Sequence, residues 1–172
     1  MGHGEIEGLV AGAVVVLALV ATLSLASRRQ ALRRRGNAEA WARICERLAL
    51  TREVSTGALR GRIEDVEVVA WGEAGEVLVQ ATCADECGSV VVEMRAGVPL
   101  AAGDATVVVG DVDAPNVVRA LRPLSAAGYA VTFEAGVLTL RWPDLTIDEE
   151  RVVAAARAAA AACASLGRGY RG

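Results

Sequence analysis

Hydrophobic and polar positions change period repeatedly along this chain, and each change marks the start of a new element. Leu9 to Ala26 form an unbroken run of 18 residues without a charge, nearly all Val, Leu or Ala. At about 1.5 Å of rise per residue, 18 to 22 helical residues cover roughly 27–33 Å, the thickness of bilayer hydrocarbon. The run predicts a single N-terminal transmembrane helix within residues 1–27. Glu5 and Glu7 precede it, and Arg28, Arg29, Arg33, Arg34 and Arg35 follow it. A secretory signal peptide would carry its basic residues on the other side and end in a small-residue cleavage site.

After the basic collar (28–36) the period becomes helical. Trp41, Ile44, Cys45 and Leu48 make one apolar stripe reaching Leu50, with Asn37 as the cap and Glu39 in the first turn. From Gly57 the period falls to two. Residues 58–63 and 66–71 read as strands turning at Glu64-Asp65, and 76–82 follows a turn marked by Gly72 and Gly75. A fourth strand, 89–95, comes after a loop around Asp85, and Gly97 and Pro99 end it. Short connections and alternating polarity predict an antiparallel meander with one face covered and the other partly wet.

A second unit begins with a short strand over 105–109. Asp113 caps a helix with Pro115 in its first turn, buried through Val117, Val118 and Leu121 and ended by Pro123 and Gly128. Residues 129–134 and 137–142 form a hairpin across Ala135-Gly136. Thr146 and Glu149 have capping-box spacing ahead of a last, Ala-rich helix reaching about Leu166. Its buried side holds Ile147, Val152, Val153, Ala156, Ala160 and Cys163. The expected fold class is α+β: one N-terminal transmembrane helix, then an antiparallel-sheet domain with a linking helix, a short middle helix and a C-terminal Ala-rich helix. The domain spans 37–166, and 167–172 form a flexible tail.

Charge narrows the partners. The sequence has 18 basic residues, all Arg, and 21 acidic ones. Outside the collar and the N-terminal tail, 13 arginines face 19 carboxylates, a net charge of −6 on about 136 residues. That length supports one core, and that sign disfavours nucleic acid. The only histidine, His3, precedes the apolar run. The domain therefore lacks a histidine base or metal ligand, and without lysine it can form neither a P-loop nor a Schiff base. No catalytic, cofactor-binding or metal-binding residue is assigned, and a non-enzymatic role is expected. Asp104, Asp111 and Asp113 lack the spacing and closing Glu of a calcium loop and read as turn and cap residues.

Five arginines on one flank predict that this end stays cytoplasmic and that Arg28, Arg29, Arg33, Arg34 and Arg35 lie at the membrane interface, each contributing on the order of 1 kcal/mol against anionic headgroups. Gly4, Gly8 and Gly12 recur every fourth residue, a small-residue face suited to helix packing and homo-oligomer formation. A cytoplasmic domain favours free thiols. Cys45 and Cys163 occupy apolar helix positions, while Cys83 and Cys87 bracket an acidic turn. Their spacing is open to a chemical reading, a redox pair or half a zinc site, and to a plain one, two strand-end residues flanking the loop. Zinc would need four ligands where one pair is offered, and the acidic neighbours raise rather than lower thiol pKa.

Gly103-Asp104, the strand ending near Val109-Gly110-Asp111, the run Val117-Val118-Arg119-Ala120-Leu121, the Gly-marked hairpin and the Ala-rich helix together resemble a family of bacterial membrane-anchored domains of unknown function. Such members have one N-terminal span, a helix with a Trp and a strand-rich domain. The likeness covers 37–166 loosely and 101–166 best. Members commonly carry Phe-Asp after the Gly-Asp, where this chain has Ala105-Thr106-Val107. The resemblance implies an inner-membrane setting and transfers no activity. The expected function is a non-catalytic binding or scaffold module with a protein partner. The alternatives are a tethered thiol enzyme or sensor using Cys83 and Cys87, and a structural subunit assembled through the glycine face.

Overall fold

The structure is a computed structural model describing residues 35–83, 91–94, 106–108 and 114–169. Among these residues no helix is long and apolar enough to cross a membrane, and the expected span over 9–26 lies outside them. Contacts divide the chain into Met1–Glu39 and Ala40–Gly172. Residues 35–39 of the first unit are helical, so Asn37 lies inside a helix instead of capping one. Strong helix formers surround it, and the single Gly36 costs only about 1 kcal/mol, too little to force a break.

The helix over 35–48 (α1) ends in a Schellman turn. Ala49 takes φ 52°, the Leu50 N–H donates to the Cys45 carbonyl at 3.0 Å, and the Ala49 N–H donates to Glu46 at 3.2 Å. The Cys45 thiol donates to the Leu50 carbonyl at 2.8 Å, closing the same turn from the side chain. The expected stripe is real: Ile44, Leu48 and Leu50 are buried, with Trp41 and Cys45 packed against the core.

Among the described residues eight strands follow: β1 (Thr51–Arg52), β2 (Leu59–Ile63), β3 (Val66–Glu73), β4 (Glu76–Thr82), β5 (Val91–Met94), β6 (Thr106–Val108), β7 (Ala130–Glu134) and β8 (Val137–Pro143). They form one sheet in the order β1-β2-β3-β4-β8-β7-β5-β6, every described pair antiparallel. The expected meander holds from β2 to β4, with β1 an unforeseen edge strand, and then breaks, because β4 takes β8 as its next neighbour and β5 pairs with β7. The register explains the insertion. Val77, Val79 and Ala81 meet Trp142, Leu140 and Leu138, three apolar pairs in one row along the covered face. Burying a large apolar side chain is worth about 1.5–3 kcal/mol, so this match outweighs the shorter route that β5 would have offered.

Three two-residue hairpins set the register of β2 on β3, β3 on β4 and β7 on β8. Glu64-Asp65, Ala74-Gly75 and Ala135-Gly136 all have positive φ at both central residues, the type I′ geometry that follows the twist of the strands. Gly75 and Gly136 meet the requirement without strain, whereas Glu64 (φ 49°) and Asp65 (φ 67°) meet it against side-chain sterics. Gly61 serves a different need. A Cβ there would come within 2.7 Å of Leu50 Cδ2, so the bare backbone lets the α1–β1 link lie directly on β2.

Two further helices complete the layer. In α2 (Ala114–Ala126) Val117, Leu121 and Leu124 are buried, and Val118 is packed against the core. Pro123 does not end it, contrary to expectation: the residue sits on the exposed side, as does Arg119, whose carbonyl it leaves without an intrahelical donor, so water can satisfy the lost bond. A second Schellman turn ends α2, with the Tyr129 N–H donating to Leu124 at 3.3 Å and the Gly128 N–H to Ser125 at 3.0 Å.

The last helix, α3 (Glu149–Gly169), runs three residues past the expected end. Its cap is Asp148, whose Oδ1 accepts the Arg151 N–H at 3.2 Å. The expected Thr146–Glu149 box does not form, because Asp144 holds that stretch as a turn and accepts both the Thr146 and Asp148 N–H groups. Replacing Glu64 by Asn and Asp65 by Gly together should raise stability by about 1 kcal/mol, since both substitutes enter the left-handed region more readily. Chemical denaturation of the double variant measures this, and an unchanged or lowered midpoint contradicts it.

Candidate functional site

Sheet alternation sends Val79, Ala81 and Cys83 to the face covered by α3, and helical spacing sends Ala156, Ala159, Ala160 and Cys163 down onto it. Cys83 and Cys163 meet there as a disulfide, with Cα atoms 4.7 Å apart and 80 residues of sequence between them. Both are nearly inaccessible, at 4% and 1% exposure. The Cys83 N–H donates to the Gly136 carbonyl at 2.7 Å, tying the end of β4 to the β7–β8 turn. A crosslink closing a loop of that size stabilises by about 4–5 kcal/mol in the chain-entropy account.

The expectation of free thiols in the domain is therefore corrected for this pair. A sequence separation of 80 hid it, although each cysteine lay in an apolar pattern of the right phase. Cys87, the partner of Cys83 in the alternative redox reading, lies outside the described residues. So do Gly4, Gly8, Gly12, Arg28, Arg29, Arg33 and Arg34, and the aspartates Asp104, Asp111 and Asp113. Arg35 is exposed on α1. Among the described residues no three His, Cys, Asp or Glu side chains gather as metal ligands.

Two clusters that the sequence did not announce anchor the start of α3. Arg47 reaches both Glu149 (3.0 Å) and Glu150, the latter through both terminal nitrogens, and Arg43 Nε donates to Glu149 Oε2 at 2.7 Å. The guanidiniums of Arg43 and Arg47 hold the Glu149 carboxyl below the usual carboxylate range, Arg47 does the same to Glu150, and their carboxylates raise the pKa of Arg47. Behind this cluster, the Arg151 guanidinium lies 5.5 Å from the Tyr129 ring centre and 5.4 Å from that of Trp142. The two rings meet edge to face at 5.1 Å, and Arg151 also donates to the Gly128 carbonyl at 3.3 Å. Trp142 Nε1 is buried without a hydrogen-bond partner among the described residues.

The opposite face of the sheet carries no helix among the described residues. Register places Trp71, Leu78 and Arg141 side by side across β3, β4 and β8, and Arg60, Val69, Gln80, Thr139, Thr132 and Glu93 in the next row. Trp71, Val69, Leu78 and Gln80 are only half-buried. Gln80 Nε2 donates to Thr139 Oγ1 at 3.2 Å, so the polar part of the row is partly self-satisfied. This surface combines an aromatic, an aliphatic and guanidiniums on rigid strands, the residue types that dominate protein interfaces.

Because the carboxyl pKa values are depressed, the Arg43/Arg47–Glu149/Glu150 contribution to stability is fully present above pH ~4.3, the unperturbed glutamate value, and is lost as pH falls through the lower folded values. Carbon-detected NMR titration of Glu149 and Glu150 should give midpoints below that value. Arg47→Gln should move both upward, and a titration unaffected by the substitution contradicts the pairing.

No family model, no curated protein and no solved structure matches this chain.

Proposed function

We propose that this protein is a single-pass membrane-anchored binding module whose α+β domain holds a protein partner at the cytoplasmic face of a bacterial inner membrane, without catalysing a reaction. The apolar run over 9–26 and the arginines after it support the anchor and its orientation. The bacterial setting comes from the resemblance carried by 101–166.

One observation carries the binding role: half-buried Trp71 and Leu78 in one row with exposed Arg141 on the uncovered sheet face. A two-layer domain needs only one face of its sheet for its own core, and polar residues suffice on the other. Placing Trp and Leu there is unfavourable in water and favourable against a partner. The acidic net charge of the domain disfavours nucleic acid and the anionic bilayer, which supports protein as the partner class.

Two experiments test this reading. Protease added to intact spheroplasts should leave the C-terminal domain uncut and digest it only after lysis; digestion without lysis overturns the orientation. A photoreactive residue at position 71 should give one defined adduct in native membranes, while the same residue at Arg157, exposed on α3, should give none. Leu78→Asp should weaken that association at least tenfold, about 1.4 kcal/mol, with the thermal midpoint monitored separately. Equal adducts from both positions contradict the assignment.

A further inference from the structure

The start and the end of α3 are held by different means. Its first turn has the Asp148 cap, the Arg43/Arg47–Glu149/Glu150 cluster and Arg151 against Tyr129 and Trp142. Beyond Arg157 the buried residues are Ala159, Ala160, Cys163 and Leu166, with Ala158, Ala162 and Ala164 partly buried beside them, so apart from one leucine the apolar grip comes from methyl groups. The Cys83–Cys163 bond is the strongest tie in that half. We propose that this pair is a reversible redox site, a latch fastening the C-terminal half of α3 to the end of β4, with a small-molecule disulfide such as oxidised glutathione as co-reactant.

The reaction is a two-electron exchange. The thiols of Cys83 and Cys163 are oxidised to one disulfide, the S–S bond of the co-reactant is reduced, and its two sulfurs leave as thiols carrying the two protons. The site accommodates both states. Cys163 Sγ lies 3.6 Å from the Ala81 carbonyl oxygen, an acceptor for its S–H once the bond is opened, so that thiol is not stranded. Burial of both sulfurs means that no thiol reaches them until the helix end lifts. Exchange is therefore gated by local opening of α3, while the charged and aromatic contacts keep its first turn seated. The role as a switch rests on the cytoplasmic placement proposed above, because a disulfide in a glutathione-poised compartment is made and broken, whereas outside it would be permanent.

The test uses the full chain in lipid nanodiscs, independent of its orientation in cells. Samples equilibrated over a range of glutathione ratios are alkylated, digested and mapped, and amide exchange is followed in parallel. The expected result is a Cys83–Cys163 linked peptide under oxidising ratios that disappears under reducing ones. On reduction, amides of 160–169 should exchange at least tenfold faster while β3 and β4 keep their protection. The reduction rate should level off as thiol concentration rises. Cys163→Ala should show the fast exchange at every ratio; if that variant does not fold, reduction of the unaltered chain carries the comparison. A Cys83–Cys87 linked peptide, a bond surviving the most reducing ratio, loss of sheet protection on reduction, or α3 exchange indifferent to redox state each overturns the proposal.

Discussion

A sheet whose strands alternate apolar and polar residues can bury one face only, and the rest of this domain follows from that constraint. Leu59, Val68, Ala70, Val77, Val79, Ala81, Val92, Val131, Phe133, Leu138, Leu140 and Trp142 all point to the same side. Every described helix that contributes to the core must therefore lie there. The core-facing side chains of α1, α2 and α3 join a single cluster with these residues. The two Schellman turns follow from the same geometry. A chain leaving a helix that lies on a sheet must reverse sharply to enter an edge or neighbouring strand, and Leu50 and Tyr129 become buried as it does so.

Small side chains let α3 sit low on the sheet. Ala155, Ala156, Ala159 and Ala160 are completely buried, and close approach brings Cys163 within bonding distance of Cys83. The cost is that each alanine contributes only about one methyl group of burial, roughly 0.8 kcal/mol. Larger residues would have gripped harder but held the helix away from β4, and the crosslink could not then form. Alanine packing and the disulfide are thus two parts of one arrangement, with the ionic and aromatic contacts securing the end that the disulfide does not reach.

Strands and hairpins were legible because a period of two with two-residue turns admits few alternatives. Residues 76–82 and the Ala135-Gly136 hairpin lie where the pattern put them, since local chemistry alone decides such elements. Helix starts were less legible. Thr146 and Asp148 are both good caps two residues apart, and only the Asp144 turn chooses between them. Strand order beyond β4 and the cysteine pairing were not legible. Both are decided by contacts over long sequence separations, β4 with β8 and Cys83 with Cys163, and periodicity along the chain carries no term for them. The uncovered face was foreseen as partly wet, yet Trp71, Leu78 and Arg141 become one surface only when three strands are put in register.

The arginine collar and the disulfide pull in opposite directions on the question of compartment. Guanidiniums are hard to carry through hydrocarbon, which favours keeping their side of the membrane cytoplasmic; a lasting disulfide favours the outside. A reversible bond removes the conflict without moving either group. A permanent staple would leave a helix end that needs no alternative partner for its sulfur. Here the Ala81 carbonyl stands beside Cys163, and the first turn of α3 has its own fastenings, so reduction costs the fold its crosslink without taking away the rest of its support. The physical design is that of a helix held at one end by charge and stacking, and at the other by a bond whose presence the surroundings decide.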